Sequence, residues 1–201
     1  MSPAGGAHSA KGNKWDKRHR GKRKQQGGGA SGAIACHRSG SHTALAEALA
    51  AHYETVWTPE YLREFVAQKG ALPAPSDTRR IADGHLAQVA ARAPQAHRVL
   101  FLDTDLISTC VYSRYYFGAC PAWLERLAHE HRADLYLLTD IDIPWTPDPG
   151  QRDGPDVRAE LHVFFCEALQ THGVAFGLVS GPLEERMATA VRAVDALLWG
   201  V

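Results

Sequence analysis

Long hydrophobic runs and paired cysteines are both missing from this chain of 201 residues. No stretch approaches the roughly 20 apolar residues of a membrane-spanning helix, and no apolar segment near the start indicates a secretory signal peptide. The four cysteines, Cys36, Cys110, Cys120 and Cys166, show no CxxC pairing, which favours free thiols in a reducing compartment. No zinc ligand set stands out among the eleven histidines. We therefore expect a cytoplasmic protein that makes no membrane contact.

Net charge is also absent, since 22 Lys and Arg balance 22 Asp and Glu, but the charges are unevenly distributed. Residues 1–30 contain eight basic residues against one acid, Asp16, so the remainder of the chain is acidic. Apolar periodicity is almost absent in this segment, which predicts a disordered basic leader. Weak contact with RNA or acidic surfaces, an inert tail and a misassigned start site all stay open. No specific nucleic-acid partner is predicted.

From residue 31 onward, short apolar segments alternate with segments of helical pattern. Strands separated by helices indicate a parallel sheet covered on both faces. The predicted fold is therefore a three-layer α/β domain over residues 31–201. Strands are predicted at 33–36, 54–57, 99–103, 135–138 and 174–179, and helices at 43–52, 61–70, 77–93, 106–117, from 121 onward, at 156–172 and at 182–198.

Two carboxylates stand at the end of the most apolar predicted strand. Asp103 and Asp105 lie two residues apart, so both face the same side of an extended chain. Open α/β sheets bind ligands at the carboxyl ends of their strands. Asp103 is predicted to hold Mg²⁺ directly or through water, as an acid in this position of P-loop phosphotransferases does. Asp105 either joins the same site or caps the helix that begins at Leu106.

The loop after the first strand lacks the lysine that a phosphate-binding loop usually contains. Residues 35–43, Ala-Cys-His-Arg-Ser-Gly-Ser-His-Thr, take the place of G-x-x-x-x-G-K-[ST], with Ala35 for the first glycine and Ser41 for the lysine. Backbone N–H groups and a helix N-terminus can bind phosphate without lysine, and Arg38 offers positive charge. The alternative is a small-residue turn that binds no nucleotide. The residues predicted to bind ATP are Ser39, Gly40, Ser41, His42 and Thr43, of which Thr43 is also a predicted Mg²⁺ ligand.

A second loop, residues 140–154, combines aromatic, acidic and basic side chains directly after an apolar strand. This composition suits a lid that closes over a charged ligand. Arg152 and Arg158 flank the point where the next helix can begin, and guanidinium groups bind phosphate oxygens in bidentate fashion. We predict that both arginines contact the phosphates of ATP. The alternative is a solvated surface loop.

Four segments, in this order, resemble motifs of the ribosylnicotinamide kinase domain found in NadR-type proteins of NAD biosynthesis. The resemblance covers about residues 31–199 and implies a P-loop NTPase fold, related to AAA-type ATPases, with a degenerate Walker A loop. The chain departs from the family in that lysine-free loop and in lacking a G-x-F-x-x-x-H-x-G-H type adenylyltransferase signature. The matching segments are EYLREF at 60–65, IADGH at 81–85 with Gln88, FLDTD at 101–105 with Thr109, and DIPW at 142–145 with Asp148, Gln151 and Arg152.

The resemblance implies a kinase that uses ATP and Mg²⁺ to phosphorylate the 5′-hydroxyl of nicotinamide riboside, giving nicotinamide mononucleotide. It implies that Glu60 accepts the hydroxyl proton and Asp105 holds the ribose hydroxyls, or that these two roles are exchanged. Arg152 would stabilise the transferred phosphoryl group. The implied partner is a small nucleoside or nucleotide, and a homo-oligomer stays open.

The resemblance also implies aromatic contacts with the substrate, since Tyr61 or Trp145 would stack on the cationic pyridinium ring. Arg63 is a further predicted substrate contact. Each role has a structural alternative: Glu60 as a helix-start acid, the two rings as packing groups, and Arg63 as the partner of Glu60. Because the loop lacks lysine, the rival function is a nucleotide-binding sensor without turnover.

Overall fold

The computed structural model describes residues 32–37, 42–144 and 154–200, and the predicted leader, residues 1–30, lies outside this part. Two short 3₁₀ turns, Pro75–Asp77 and Ala93–Gln95, precede and follow the third helix. The strands are β1 (Gly32–His37), β2 (Trp57–Thr58), β3 (Val99–Leu102), β4 (Leu135–Thr139) and β5 (Phe176–Val179). The helices are α1 (His42–His52), α2 (Tyr61–Lys69), α3 (Thr78–Arg92), α4 (Leu106–Phe117), α5 (Ala122–Glu130), α6 (Pro155–Thr171) and α7 (Leu183–Trp199).

The five strands form one parallel sheet in the order β2-β3-β1-β4-β5. Strands β3 and β4 are buried along their whole length, as expected for parallel strands with helices on both faces. Helices α1 and α7 pack on one face around Ile34 and Phe101. Helices α4, α5 and α6 contribute to the opposite core, around Tyr136 and Phe165. The predicted three-layer α/β fold is confirmed.

The second strand was predicted three residues too early. The prediction of 54–57 was wrong because Glu54 has a φ of 51°, a left-handed conformation that belongs to the turn after α1. Pairing with β3 begins at Trp57, which lies opposite Phe101. As a result, only Pro59 separates the end of the strand from Glu60, which precedes α2.

The start of α4 brings Asp105 to the carboxyl edge of the sheet. Three residues separate β3 from α4, and the side chain of Asp105 caps the helix by accepting hydrogen bonds from the N–H groups of Ile107 and Ser108. Helix α2 ends at Lys69, and the φ of 68° at Gly70 turns the chain toward α3. Among the described residues, no helix is long and apolar enough to cross a membrane.

Candidate active site

The end of β1 and the end of β3 lie side by side, which brings the predicted Mg²⁺ ligand to the start of the predicted phosphate loop. Ala35 pairs with Leu102, so Cys36 and Asp103 follow at the same level of two adjacent strands. Asp103 is 1% exposed, and its N–H donates to the carbonyl of Thr58. Burial raises the pKa of the Cys36 thiol, and the nearby Asp103 carboxylate raises it further. The end of β1, from which the predicted phosphate loop starts, therefore adjoins Asp103.

The loop itself lies mostly outside the described residues. Ser39, Gly40 and Ser41 are not described, and His42 and Thr43 are described only as the backbone of the first turn of α1. The spacing of the motif also allows two residues, Ser41 and His42, at the lysine position. If Thr43 takes the Ser/Thr position of G-x-x-x-x-G-K-[ST], the lysine position falls on His42. Ser41 takes the lysine position only in the register in which His42 takes the hydroxyl position.

A cavity of about 750 Å³ opens between α2, α3 and α4 beside the carboxyl edge of the sheet. This volume lies in the range of small-molecule binding sites. The cavity brings together four of the predicted substrate-binding residues: Glu60, Tyr61, Arg63 and Asp105. The fifth, Trp145, lies outside the described residues. The opposite wall is formed by side chains of α3 and α4, among them Thr78, Ile81, His85, Thr109, Tyr112 and Tyr116.

Glu60 lines this cavity with a carboxylate that does not cap its helix. Its residue is 4% exposed, and its side chain makes no capping hydrogen bond to α2. Instead, its Oε2 accepts a hydrogen bond of 3.0 Å from Nε of Arg63. Arg63 is 45% exposed at its side chain, so the pair joins a buried carboxylate to a solvent-accessible cation. This geometry suits a carboxylate that acts on a ligand in the cavity.

Tyr61 owes its position to a glycine on the neighbouring helix. A Cβ atom added at Gly84 of α3 would lie 2.0 Å from Cζ of the Tyr61 ring. Since real Cβ atoms do not approach other carbons so closely, only glycine permits the ring to pack against α3 at this point. Gly84 belongs to the IADGH segment, so this segment has a structural role in shaping the cavity wall.

Both oxygens of Asp105 are engaged by protein groups. Oδ1 accepts the two capping N–H groups and lies 2.8 Å from Nε2 of His37, while Oδ2 accepts the hydroxyl of Tyr136 at 2.6 Å. Burial raises the pKa of Asp105, but His37 and Tyr136 outweigh it and leave the pKa below its usual value. The structure therefore places Asp105 as a capping and positioning residue, and its direct contact with a substrate stays a prediction.

His85 is a cavity residue for which no role was predicted, although it belongs to the IADGH segment. It is 5% exposed and lines the cavity from α3. Burial lowers the pKa of His85, while the Asp105 carboxylate acts in the opposite direction. His37 and Tyr136 were also missed, because their contacts with Asp105 join β1 and β4 to α4 across 68 and 31 residues of sequence. Sequence spacing alone carries no signal for such contacts.

The base of the predicted lid is held by two arginines. Arg158 of α6 donates from Nη1 to the carbonyl of Ile143 at 2.7 Å. Arg186 of α7 is buried and donates to the carbonyls of Asp140 and Gly181 and to the carboxylate of Asp142. These contacts fix the chain where it enters the 145–153 segment. That segment, with Trp145 and Arg152, lies outside the described residues.

Comparison with known proteins agrees with this fold. A family model described as AAA domain matches residues 38–186. The trifunctional NAD biosynthesis/regulator protein NadR of Escherichia coli strain K12 is 29% identical over 144 residues, 69% of this chain and 35% of the relative. NadR of Salmonella typhimurium matches with the same identity and coverage. This chain thus spans about a third of the length of these curated relatives.

Solved structures show the same fold at lower identity. A NadR crystal structure with NAD and AMP-PNP has a TM-score of 0.69 and 22% identity, covering 85% of this chain and 50% of the other. A NadR structure in complex with NR has a TM-score of 0.70 and 20% identity, covering 84% and 51%. A thymidylate kinase from Candida albicans reaches 0.58 with 13% identity, covering 84% and 93%.

The fold and the adjoining ends of β1 and β3 define an α/β protein of the P-loop NTPase class. Within that class the chain belongs to the AAA domain family whose model it matches, and it is a NadR-like P-loop NTPase domain.

Proposed function

We propose that this chain is a small-molecule kinase of NAD salvage, which transfers the γ-phosphoryl group of ATP to the 5′-hydroxyl of nicotinamide riboside. The similarity to NadR, including a NadR structure in complex with NR, supports this substrate class. One observation carries the proposal: Glu60 and Arg63 line a cavity of about 750 Å³ whose rim also contains Asp105, two residues from Asp103. A nucleoside in this cavity would lie between a carboxylate base and the phosphate site.

In the proposed reaction, the 5′-hydroxyl oxygen attacks the γ-phosphorus, the bond to the β-phosphate oxygen breaks, and ADP leaves. Glu60 takes the hydroxyl proton, and Arg63 orients its carboxylate through the 3.0 Å hydrogen bond. Phosphoryl transfer depends mainly on positioning and charge neutralisation, which fits a site with few reactive groups. Arg152 and Arg158 would add positive charge when the lid closes.

The site also fits Mg²⁺. Asp103 offers a buried carboxylate at the end of β3, beside the start of the phosphate loop, and carboxylate oxygens are ligands that Mg²⁺ prefers. Thr43 would add a hydroxyl ligand from the start of α1. When bound with ATP, Mg²⁺ would neutralise charge on the phosphates. Substrate phosphates and water commonly supply the remaining ligands, so a single protein carboxylate is sufficient.

A nucleotide-binding sensor of the same fold is the second candidate function. It is favoured by one observation, the absence of lysine from residues 35–43. A kinase needs positively charged groups beside the transferred phosphate in the transition state, whereas a sensor needs only to bind the nucleotide in its ground state. The two functions therefore differ in turnover and not in affinity.

Turnover of ATP and nicotinamide riboside by Glu60 and Asp103 variants tests the proposed roles. Glu60→Gln should lower kcat by roughly 100-fold or more, since a positioned base contributes about that much. Glu64→Gln is the matched control, because Glu64 is an exposed carboxylate one turn further along α2 that pairs with Gln68 and Gln88. Asp103→Asn should weaken the Mg²⁺ dependence of the rate. Equal kcat values for the Glu60 and Glu64 variants would exclude Glu60 as the base.

A further inference from the structure

Two cysteines that are ten residues apart in sequence, the buried Cys110 and the half-buried Cys120, lie close together. Cys110 belongs to α4, and Cys120 belongs to the connection between α4 and α5. Their sulfur atoms and a carboxylate oxygen of Glu125, in the first turn of α5, all lie within 4.8 Å of one another. None of the three residues lines the substrate cavity. This cluster is therefore separate from the candidate active site.

A histidine lies next to the carboxylate of this cluster. Nε2 of His172, the residue that caps the C-terminus of α6, lies 3.3 Å from Oε2 of Glu125. The imidazole is 6% exposed, and this nitrogen makes no well-aligned hydrogen bond within the part of the chain that the structure describes. A buried imidazole nitrogen thus lies beside the Glu125 carboxylate, which is also close to the two thiols.

We propose that Cys110, Cys120, Glu125 and His172 form a structural binding site for a zinc ion. Zinc takes four ligands in structural sites and accepts sulfur, nitrogen and carboxylate oxygen together. Three of these donors already lie within 4.8 Å of one another, and His172 lies outside that group but beside a Glu125 oxygen. In the part of the chain that the structure describes, this cluster combines two sulfur atoms with low exposure, and sulfur ligands favour zinc over Mg²⁺ or Ca²⁺.

The charges around the cluster agree with a divalent ion. Two thiolates and one carboxylate carry three negative charges, and zinc supplies two positive ones. Arg114 supplies the remaining positive charge, because its Nη2 lies 2.5 Å from Oε1 of Glu125. The contact leaves Oε2 available on the side of His172 and matches the outer partners that orient metal-bound carboxylates.

Such a site would hold three helices together. Cys110 is one turn from Ser113 and one residue from Thr109, both of which line the substrate cavity from α4. A bound ion would tie α4 to the start of α5 and the end of α6 from outside the cavity. Zinc would therefore stabilise the cavity wall without touching the substrate, and this inference holds whether the protein is a kinase or a sensor.

Cobalt substitution tests the site directly. The full-length chain, reduced and freed of metal with a chelator, is titrated with Co²⁺ while thiolate-to-cobalt charge-transfer absorption is recorded, and Zn²⁺ is then added as competitor. We expect one equivalent of Co²⁺ per chain, displacement by Zn²⁺, and a higher Tm in the presence of zinc. Cys120→Ser should weaken the thiolate band, since only the Cys110 thiolate remains, and Glu125→Gln should weaken zinc binding by more than about tenfold.

Cys166→Ser is the matched control. Cys166 also has a histidine beside it, with 3.8 Å between its sulfur and Nε2 of His162, but it belongs to no cluster of three donors among the described residues. This variant should bind cobalt as the unaltered chain does. A missing thiolate band in the unaltered chain, or one of unchanged intensity in Cys120→Ser, would overturn the zinc site. So would a Cys110–Cys120 disulfide, detected as a mass loss of two hydrogens, in a chain that binds no zinc when reduced.

Discussion

Nε2 of His37 lies 2.8 Å from Oδ1 of Asp105, and the two side chains are 0% and 2% exposed. His37 is the last residue of β1, where the predicted phosphate loop begins, and Asp105 caps the helix that lines the substrate cavity. The contact therefore joins the two halves of the candidate active site. Tyr136 completes the group by donating to the second oxygen of Asp105 and packing edge-on against the His37 ring.

Replacing Asp105 by Asn should destabilise the fold strongly. The amide keeps an oxygen for the helix cap, but it loses the charge that holds the His37 imidazole in a buried site. Loss of buried hydrogen bonds to an ionised carboxylate costs about 2 kcal/mol or more, and urea unfolding should show a loss of this size. Asp83→Asn is the control, because the Asp83–Arg79 pair is exposed and should change stability by less than about 0.5 kcal/mol. Equal effects of the two substitutions would refute the role of Asp105.

Gly84→Ala should lower both stability and substrate affinity. In an ordinary helix this substitution stabilises by about 1 kcal/mol, but here the new methyl group would collide with the Tyr61 ring. We expect a loss of roughly 1–3 kcal/mol and a higher KM for the nucleoside, since the displaced ring lines the cavity. Gly32→Ala, where the nearest atom lies 3.5 Å away, should leave KM unchanged. A more stable Gly84→Ala variant with normal KM would contradict the packing.

The contact of Asp142 with Gly181 and Arg186 should give the fold a distinct dependence on pH. The N–H of Gly181 and the guanidinium of Arg186 hold the pKa of Asp142 below its ordinary value of 3.8. A carboxyl with a lowered pKa stabilises the fold above that ordinary value, and the contribution is lost as the pH falls through the folded pKa. The difference in Tm between the unaltered chain and Asp142→Asn should therefore be constant from about pH 7 to 5. It should disappear as the pH falls below the ordinary pKa of the carboxyl group. If this difference in Tm persists at lower pH, packing and not the charge of Asp142 stabilises the fold.

Introducing a lysine into the phosphate loop should tighten ATP binding. The position at which the lysine has the larger effect shows how the loop aligns with the motif. A charge-assisted contact of this kind contributes roughly tenfold in affinity. We expect this gain in Ser41→Lys if Gly40 is the second glycine of the motif, and in His42→Lys if Thr43 is the hydroxyl residue. Calorimetric titration with an ATP analogue distinguishes the two. If neither variant binds ATP more tightly, the loop does not hold the phosphates.

Much of the fold was predictable because apolar runs and helix signals repeat clearly. Residues 99–102 are continuously apolar and are followed by a capping acid, so β3 and the start of α4 were placed almost without error. The second strand was misplaced because its pairing covers only two residues, and Trp57 and Thr58 have no alternation to reveal it. The left-handed backbone conformation of Glu54 cannot be recognised from the sequence either.

The candidate site was predictable where residues follow a strand end or belong to a family-like segment. Asp105 was found because it comes shortly after a strand and Glu60 because it begins the EYLREF segment, and the cavity contains both. The partners of Asp105 were not found, since His37 and Tyr136 reach it from other strands. The proximity of Cys110 and Cys120 was likewise hidden, because a helix and a connecting segment bring them together without a CxxC spacing.

Direct detection of the product tests the central claim most directly. The purified chain, incubated with ATP, Mg²⁺ and nicotinamide riboside, should form nicotinamide mononucleotide and ADP in equal amounts, as followed by liquid chromatography with mass detection. Omitting Mg²⁺ should abolish both products. Binding of ATP and of the riboside without formation of the mononucleotide, with either Mg²⁺ or Mn²⁺, would contradict the kinase and leave the sensor as the function of this domain.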